Sequence, residues 1–171
     1  IIFLLNLDLK KMRNGFMNFK IPEGRGDIKT VKKFNKKFKL IDESYNANPI
    51  SMLSAVKNFH DFCRKNQERK LAFLGDMLEL GKKSKKLHEN LSSIINKSDI
   101  DKVFVYGKYI KETFNNLSED KKGRVFSNLK EAYYHFGKIL HNNDILMIKG
   151  SNATGLNKFS KLIKKEQINA L

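Results

Sequence analysis

Four short segments of this 171-residue chain set polar side chains and glycines directly after an apolar run. Asp42-Glu43-Ser44-Tyr45-Asn46-Ala47-Asn48 follows the run at 39–41, and Gly75-Asp76-Met77 follows 71–74. Gly107 follows 103–106, and Lys149-Gly150-Ser151 follows 145–148. A carboxylate such as Asp42 at a strand end suits ribose hydroxyls, and its plain alternative is to cap a turn. Tyr45 can pack on a neighbouring helix or lie against a purine, and the sequence favours neither. Asn46 and Asn48 are of a type favoured in turns and caps, which makes Asn48 structural. The Lys149 ammonium is expected to emerge where a carboxylate or phosphate can meet it. His88, one residue after Leu87 in the first turn of a helix, reads by itself as a surface residue.

Those groups meet only if the elements carrying them are adjacent. From Leu40 onward, strand-like apolar runs alternate with segments of helical period, the pattern of a parallel sheet covered by helices. Met52, Val56, Phe59 and Cys63 form one apolar stripe, and Leu129, Tyr133, Phe136 and Leu140 form another; both belong to the core. Asn48 before Pro49 signals one helix start, and Ser84 opens the helix carrying Leu87, Leu91 and Ile94. In open parallel sheets ligands bind beyond the carboxyl ends of the strands, so the four polar segments should line one crevice. Residues 7–19 look helical, and Pro22-Glu23-Gly24-Arg25-Gly26 reads as a linker, with a domain boundary near Gly24.

Several chemistries are excluded by pattern. The sequence has no GxxxxGK[ST] phosphate loop, GxGxxG fingerprint, GxSxG elbow or histidine pair at metal-ligand spacing. Its one cysteine, Cys63, forms no intrachain disulfide and is expected to fill a helix face. The net charge of +16 invites a nucleic-acid reading, but only five of the 34 basic residues are arginine and the 29 lysines are spread along the chain. A solvated lysine-rich surface is therefore the preferred reading. The opening IIFLLNLDLK is too short and wrongly flanked for a signal peptide or membrane span, which points to a cytoplasmic protein, and a start on Ile1 suggests a piece of a longer chain.

Three blocks, IDESYNANPISMLSAV (41–56), LAFLGDMLELGKKSKKLH (71–88) and DILMIKGSNATGL (144–156), together resemble the Mur ligases, in the family's order. The resemblance covers the chain from about Gly24 onward. It implies a Rossmann-like α/β domain over residues 24–171, a mostly parallel sheet with helices on both faces, preceded at 1–23 by the tail of a central ATPase domain and linker. The implied activity is an ATP-dependent, ADP-forming amide ligation of peptidoglycan precursor synthesis. In it, D-alanyl-D-alanine is joined to UDP-N-acetylmuramoyl-tripeptide through an acyl phosphate, by a cytoplasmic monomer with no nucleic-acid partner. ATP and Mg2+ would be bound mainly by the central domain. By the same resemblance Arg25 reaches ATP phosphate or ribose, Asp42 holds the ribose, and Tyr45 and Asn46 lie near the nucleotide. Asp76, His88, Lys149 and Ser151 would face the dipeptide, with Arg25 and Lys149 as catalytic residues. Glu43 replaces the family's usual second aspartate, and without a phosphate loop the chain alone is expected to fold but not to turn over. A folylpolyglutamate-type ligase and a basic nucleic-acid-binding module are the competing readings.

Overall fold

The computed structural model describes residues 22–65 and 68–165, so the helical reading of residues 7–19 lies outside it. Strands β1 (Asp27–Lys33), β2 (Lys36–Glu43), β3 (Lys70–Gly75), β4 (Lys102–Tyr106), β5 (Lys122–Phe126) and β6 (Ile145–Lys149) form one six-stranded sheet in the order β1-β2-β6-β3-β4-β5. The β1–β2 pair is antiparallel and every other pairing is parallel. Helices α1 (Pro49–Asp61), α2 (Ser84–Asn96), α3 (Ile110–Asn115), α4 (Leu129–Ile139) and α5 (Leu156–Lys164) complete the described chain. The mostly parallel Rossmann-like expectation is met, with an antiparallel hairpin added at one edge.

Strand alternation sorts the apolar residues onto two faces. Ile41, Ala72, Leu74, Val103, Val105 and Met147 meet Met52, Val56 and Phe59 of α1 and Leu91 and Ile95 of α2. Across the sheet, Leu40, Leu71, Phe73, Phe104, Leu146 and Ile148 meet Phe136 of α4 and Leu156, Phe159 and Ile163 of α5. Phe73 lies 5.2 Å from Phe136 and 5.1 Å from Phe159, centroid to centroid, so one aromatic side chain ties β3 to both helices of that layer.

Helix α1 begins as its residues dictate. Asn48 accepts from the Ser51 amide at 2.8 Å while Ser51 Oγ accepts from the Asn48 amide at 3.0 Å, and Pro49 follows the cap. Its end differs from the stripe read in the sequence. Phe62 leaves helical geometry (φ −64°, ψ 118°) and packs partly against the core, so Cys63 falls past the helix and is exposed.

The lysine-rich surface also needs correction. Lys33, Lys70, Lys121 and Lys149 are buried, each with its ammonium on a backbone carbonyl: Lys165 (2.9 Å), His60 (2.7 Å), Ser98 (2.8 Å) and Asn46 (3.1 Å), respectively. Their long apolar stems pack inside while each head satisfies a carbonyl oxygen left over at a chain bend. At the amino ends of the strands, Lys70 also binds both oxygens of Asp99 (3.0 and 2.8 Å), and Arg69 grips Asp144 through Nε and Nη2 (2.9 and 2.6 Å). That pole is closed by ion pairs; the carboxyl ends are left to the polar loops.

Candidate functional site

Because β6 lies between β2 and β3, the loops 43–48, 75–80 and 149–155 leave the sheet side by side. Ser151 staples all three. Its amide donates to the Asp76 carbonyl (3.0 Å), its Oγ donates to the Ala47 carbonyl (3.2 Å), and the Leu78 amide donates to that same Oγ (3.0 Å). Lys149 joins two of them from below, donating to the Asn46 carbonyl at 3.1 Å with the Glu43 carboxylate 3.5 Å away. Burial pushes its pKa below the ordinary lysine value, opposed by the Glu43 charge. The Lys149 ammonium therefore does not emerge into a crevice as expected; the side chain is 2% exposed and holds the loop from inside.

Asp76 and His88 are also interior. The Asp76 carboxylate accepts from the backbone amides of Lys108 (2.8 Å), Tyr109 (2.9 Å) and Ile110 (2.7 Å), gathering the free donors at the start of α3. Gly107, at φ 145°, lets the chain pass so close that a Cβ there would overlap the same carboxylate. His88 is fully buried rather than a surface residue. Its Nε2 accepts from the Met77 amide at 2.9 Å, so its proton sits on Nδ1, which donates to the Ser84 carbonyl at 2.7 Å. The residue reads as exposed in a one-helix view because α3 covers it only in the tertiary fold: Thr113 Oγ1 donates to the His88 carbonyl at 2.6 Å.

On the hairpin side, the Arg25 guanidinium lies 4.3 Å above the Tyr45 ring, which is 47% exposed. Backbone bonds from the Gly26 amide to the Asp42 carbonyl (2.8 Å) and from the Tyr45 amide to the Gly24 carbonyl (3.0 Å) extend the β1–β2 ladder and fix that pair. Asp42 is engaged within the chain. One carboxylate oxygen accepts from the Ser44 amide (3.0 Å) and hydroxyl (2.5 Å), and the other meets Lys164 at 2.6 Å. Burial raises the Asp42 pKa, but the Lys164 and Ser44 bonds outweigh it and hold the carboxyl below the usual aspartate range. The turn reading of Asp42 is seen here: Ser44 closes an Asx-type turn on it.

Above the staple opens a cleft of about 630 Å3. Asn46 and Ser151 line it, as the sequence suggested, and so do Leu78, Glu79, Leu80, Asn157 and Lys158, which it did not. Their signal was positional: Glu79 lies inside the second block, and Lys158 lies in the first turn of the helix after the third. Asp76 lines a neighbouring cleft of about 720 Å3 with Lys108 and Lys111. Among the described residues no group of three His, Cys, Asp or Glu side chains is placed to hold a metal ion.

Residues 25–152 match the family model described as Mur ligase, glutamate ligase domain. The chain belongs to the Mur ligase family. It is 29% identical over 158 residues to the UDP-N-acetylmuramoyl-tripeptide–D-alanyl-D-alanine ligase of Rickettsia prowazekii, covering 92% of this chain and 34% of that one. To the ligase of the same name from Buchnera aphidicola subsp. Acyrthosiphon pisum it is 31% identical over 168 residues, or 96% and 34% of the two chains. This Mur ligase chain thus spans about a third of the length of the curated relatives it matches. Among solved structures, MurF from Acinetobacter baumannii superposes with a TM-score of 0.77 at 19% identity, covering 96% of this chain and 35% of that one. MurF from Thermotoga maritima in complex with ADP gives 0.69 at 22%, covering 92% and 36%. A folylpolyglutamate synthase/dihydrofolate synthase from Yersinia pestis shares the fold at 0.60 and 16%, over 91% and 35%. The Mur ligase fold of this chain is therefore shared beyond one substrate class.

Proposed function

We propose that the chain is the carboxyl-terminal part of an ATP-dependent, ADP-forming cytoplasmic ligase that joins D-alanyl-D-alanine to UDP-N-acetylmuramoyl-tripeptide through an acyl phosphate. The observation that carries this reading is the convergence of the three blocks on one cleft, stapled by Ser151 and floored by Lys149. Residues 24–171 form the working domain in this reading, and residues 1–23 belong to the tail of a central ATPase domain and linker.

Arg25, Tyr45 and Asn46 form the nucleotide side. Arg25 is exposed and held over a ring that is itself half-exposed, so a cation and an aromatic face stand ready for a phosphate or ribose and a purine. A cation fixed there offsets charge that builds on a transferred phosphoryl group. Asp42 acts through Lys164 and Ser44, positioning the Tyr45 loop, because both of its oxygens are already engaged. Ser151, Lys149, Asp76 and His88 are positioning residues on the dipeptide side: each holds a backbone amide or carbonyl of a cleft loop rather than presenting a free group. Mg2+ would in this reading be bound mainly by the central ATPase domain, since among the described residues no group of three His, Cys, Asp or Glu side chains is placed to hold it. Domain closure over the cleft keeps water from a hydrolysable acyl phosphate.

The test is phosphate release from the chain joined to its upstream ATPase and substrate domains. Release that requires both UDP-N-acetylmuramoyl-tripeptide and D-alanyl-D-alanine is expected, with none from the 171-residue chain by itself. Turnover with a folate and glutamate instead would overturn the substrate assignment. In the joined protein, Arg25→Ala should lower kcat about tenfold to a hundredfold while leaving the KM for dipeptide within about twofold.

A further inference from the structure

We propose that the outer face of helices α4 and α5 is a docking surface for an anionic lipid bilayer, whose headgroup phosphates meet its lysines while Tyr134 and Leu162 enter the boundary between headgroups and acyl chains. The proposal goes beyond the ligation assigned above and does not depend on it. None of the described helices is long and apolar enough to cross a membrane, so the contact is peripheral.

Two kinds of side chain make up that face. The exposed residues of α4 are Lys130, Tyr134 and Lys138, spaced by four along one stripe, and those of α5 are Lys158, Lys161 and Leu162. No exposed acidic or uncharged polar side chain interrupts either set. Tyr134 is 61% exposed and Leu162 44%. A groove of about 300 Å3 is lined by both helices, and apart from Lys130 and Lys158 its lining is aliphatic and aromatic, Leu129 and Phe159 included. The one acidic residue of α4, Glu131, is taken by Arg124 (2.7 Å) and the Ser127 amide (3.0 Å). Glu23 takes Lys161 (3.3 Å), which leaves Lys130, Lys138 and Lys158 with no carboxylate within salt-bridge distance among the described residues.

The bias belongs to this face and not to the chain at large. Across the sheet, the exposed residues of α1 and α2 include Ser54, Asn58, Asp61, Asn90 and Ser93. Lysine without arginine suits a diffuse anionic surface better than a paired carboxylate or a base edge, because an ammonium is a point charge and lacks the fixed fork of a guanidinium. A tyrosine has an apolar ring and a polar tip, which places it at a membrane interface. Nucleic acid would neutralise the same lysines but leave Leu162 in water; a bilayer takes both.

Co-sedimentation of the 171-residue chain with lipid vesicles tests this. Wild type should bind vesicles of equimolar phosphatidylglycerol and phosphatidylcholine but not phosphatidylcholine alone, and the affinity should fall about tenfold between low and physiological salt. Lys130→Gln with Lys138→Gln should weaken that binding about tenfold, and Tyr134→Ser with Leu162→Ser by a similar factor. Lys57→Gln with Lys97→Gln makes the same charge change across the sheet and should cost less than about threefold. Thermal melts check that each pair of exposed substitutions leaves the fold intact. Equal losses from the two lysine pairs would mean that net charge, not this face, binds lipid, and an unchanged affinity in the Tyr134/Leu162 pair would mean that nothing enters the bilayer; either overturns the proposal. No sedimentation at millimolar phosphatidylglycerol would leave the face to an acidic protein segment, and tighter retention on duplex DNA than on vesicles would give it to nucleic acid. Both outcomes overturn it as well, and neither bears on phosphate release by the joined protein.

Discussion

Glu79 holds a left-handed backbone, φ 64°, that favours glycine. Replacement by glycine removes that strain and should stabilise the domain by about 1 kcal/mol, seen as a rise in Tm. Asp42 gives a pH prediction whose sign follows from its depressed pKa. Above the unfolded value of about 4 the carboxylate is charged in both states and its contribution is complete. As pH falls below about 4, the unfolded chain takes up the proton first, so stability is lost through the folded pKa. Asp42→Asn should therefore lower Tm at neutral pH and flatten the decline between about pH 5 and about pH 3, followed by thermal melts. At this scale the sequence supplied identities better than postures. Asp76, His88, Lys149 and Ser151 all stand at the strand-end loops, yet each turns inward to a backbone partner. The His88–Ser84 bond is local to its helix, but Met77, Lys108, Leu78 and Asn46 lie 11, 32, 73 and 103 residues from His88, Asp76, Ser151 and Lys149, beyond any local periodicity.

Elements were legible where period and punctuation agreed. The Asn48-Pro49 start of α1 and the strands around 71–74, 103–106 and 145–148 needed only local rules. The β1–β2 hairpin was hidden by lysines at 29, 32, 33, 36 and 37, which leave Val31 and Phe38 as the buried apolar markers of its outer half. Its turn was hidden too: Phe34 and Asn35 both take positive φ (55° and 57°), a two-residue turn usually announced by Asn-Gly. Strand β5 is a five-residue edge strand containing Gly123, too short and too polar to register. Two helix starts can be tested. Asn48→Ala removes the α1 capping box and should cost about 1 kcal/mol in denaturant melts. Asp76→Ala leaves three amides at the start of α3 without their acceptor and should cost about 3 kcal/mol, loosening the Gly107 turn with it. A loss below about 1 kcal/mol would mean that water replaces the carboxylate there.

For the whole molecule, a net charge of +16 is less of a surface property than composition suggests. Part of the lysine complement caps carbonyls in the interior, and the Lys70–Asp99 and Arg69–Asp144 pairs close the pole opposite the cleft. Lys70→Met would leave the His60 carbonyl without its donor and Asp99 with only Arg64 (3.7 Å) and His60 (3.3 Å) beside it, and a loss of about 3 kcal/mol is expected, with little change at high salt because the ammonium is buried. A strongly salt-dependent loss would place that charge at the surface instead. The hairpin carries one more consequence. The Gly24 carbonyl bonds the Tyr45 amide, so in the proposed enzyme the linker would join the domain along the same strip of backbone that carries the Tyr45 ring. Joint and jaw would be one part: a torque applied at Pro22 reaches Tyr45 through the Gly24 carbonyl and through the Arg25 guanidinium over its ring. In the proposed enzyme, swinging the domain and setting its grip would then be one movement, and a stiffer hinge would slow both together.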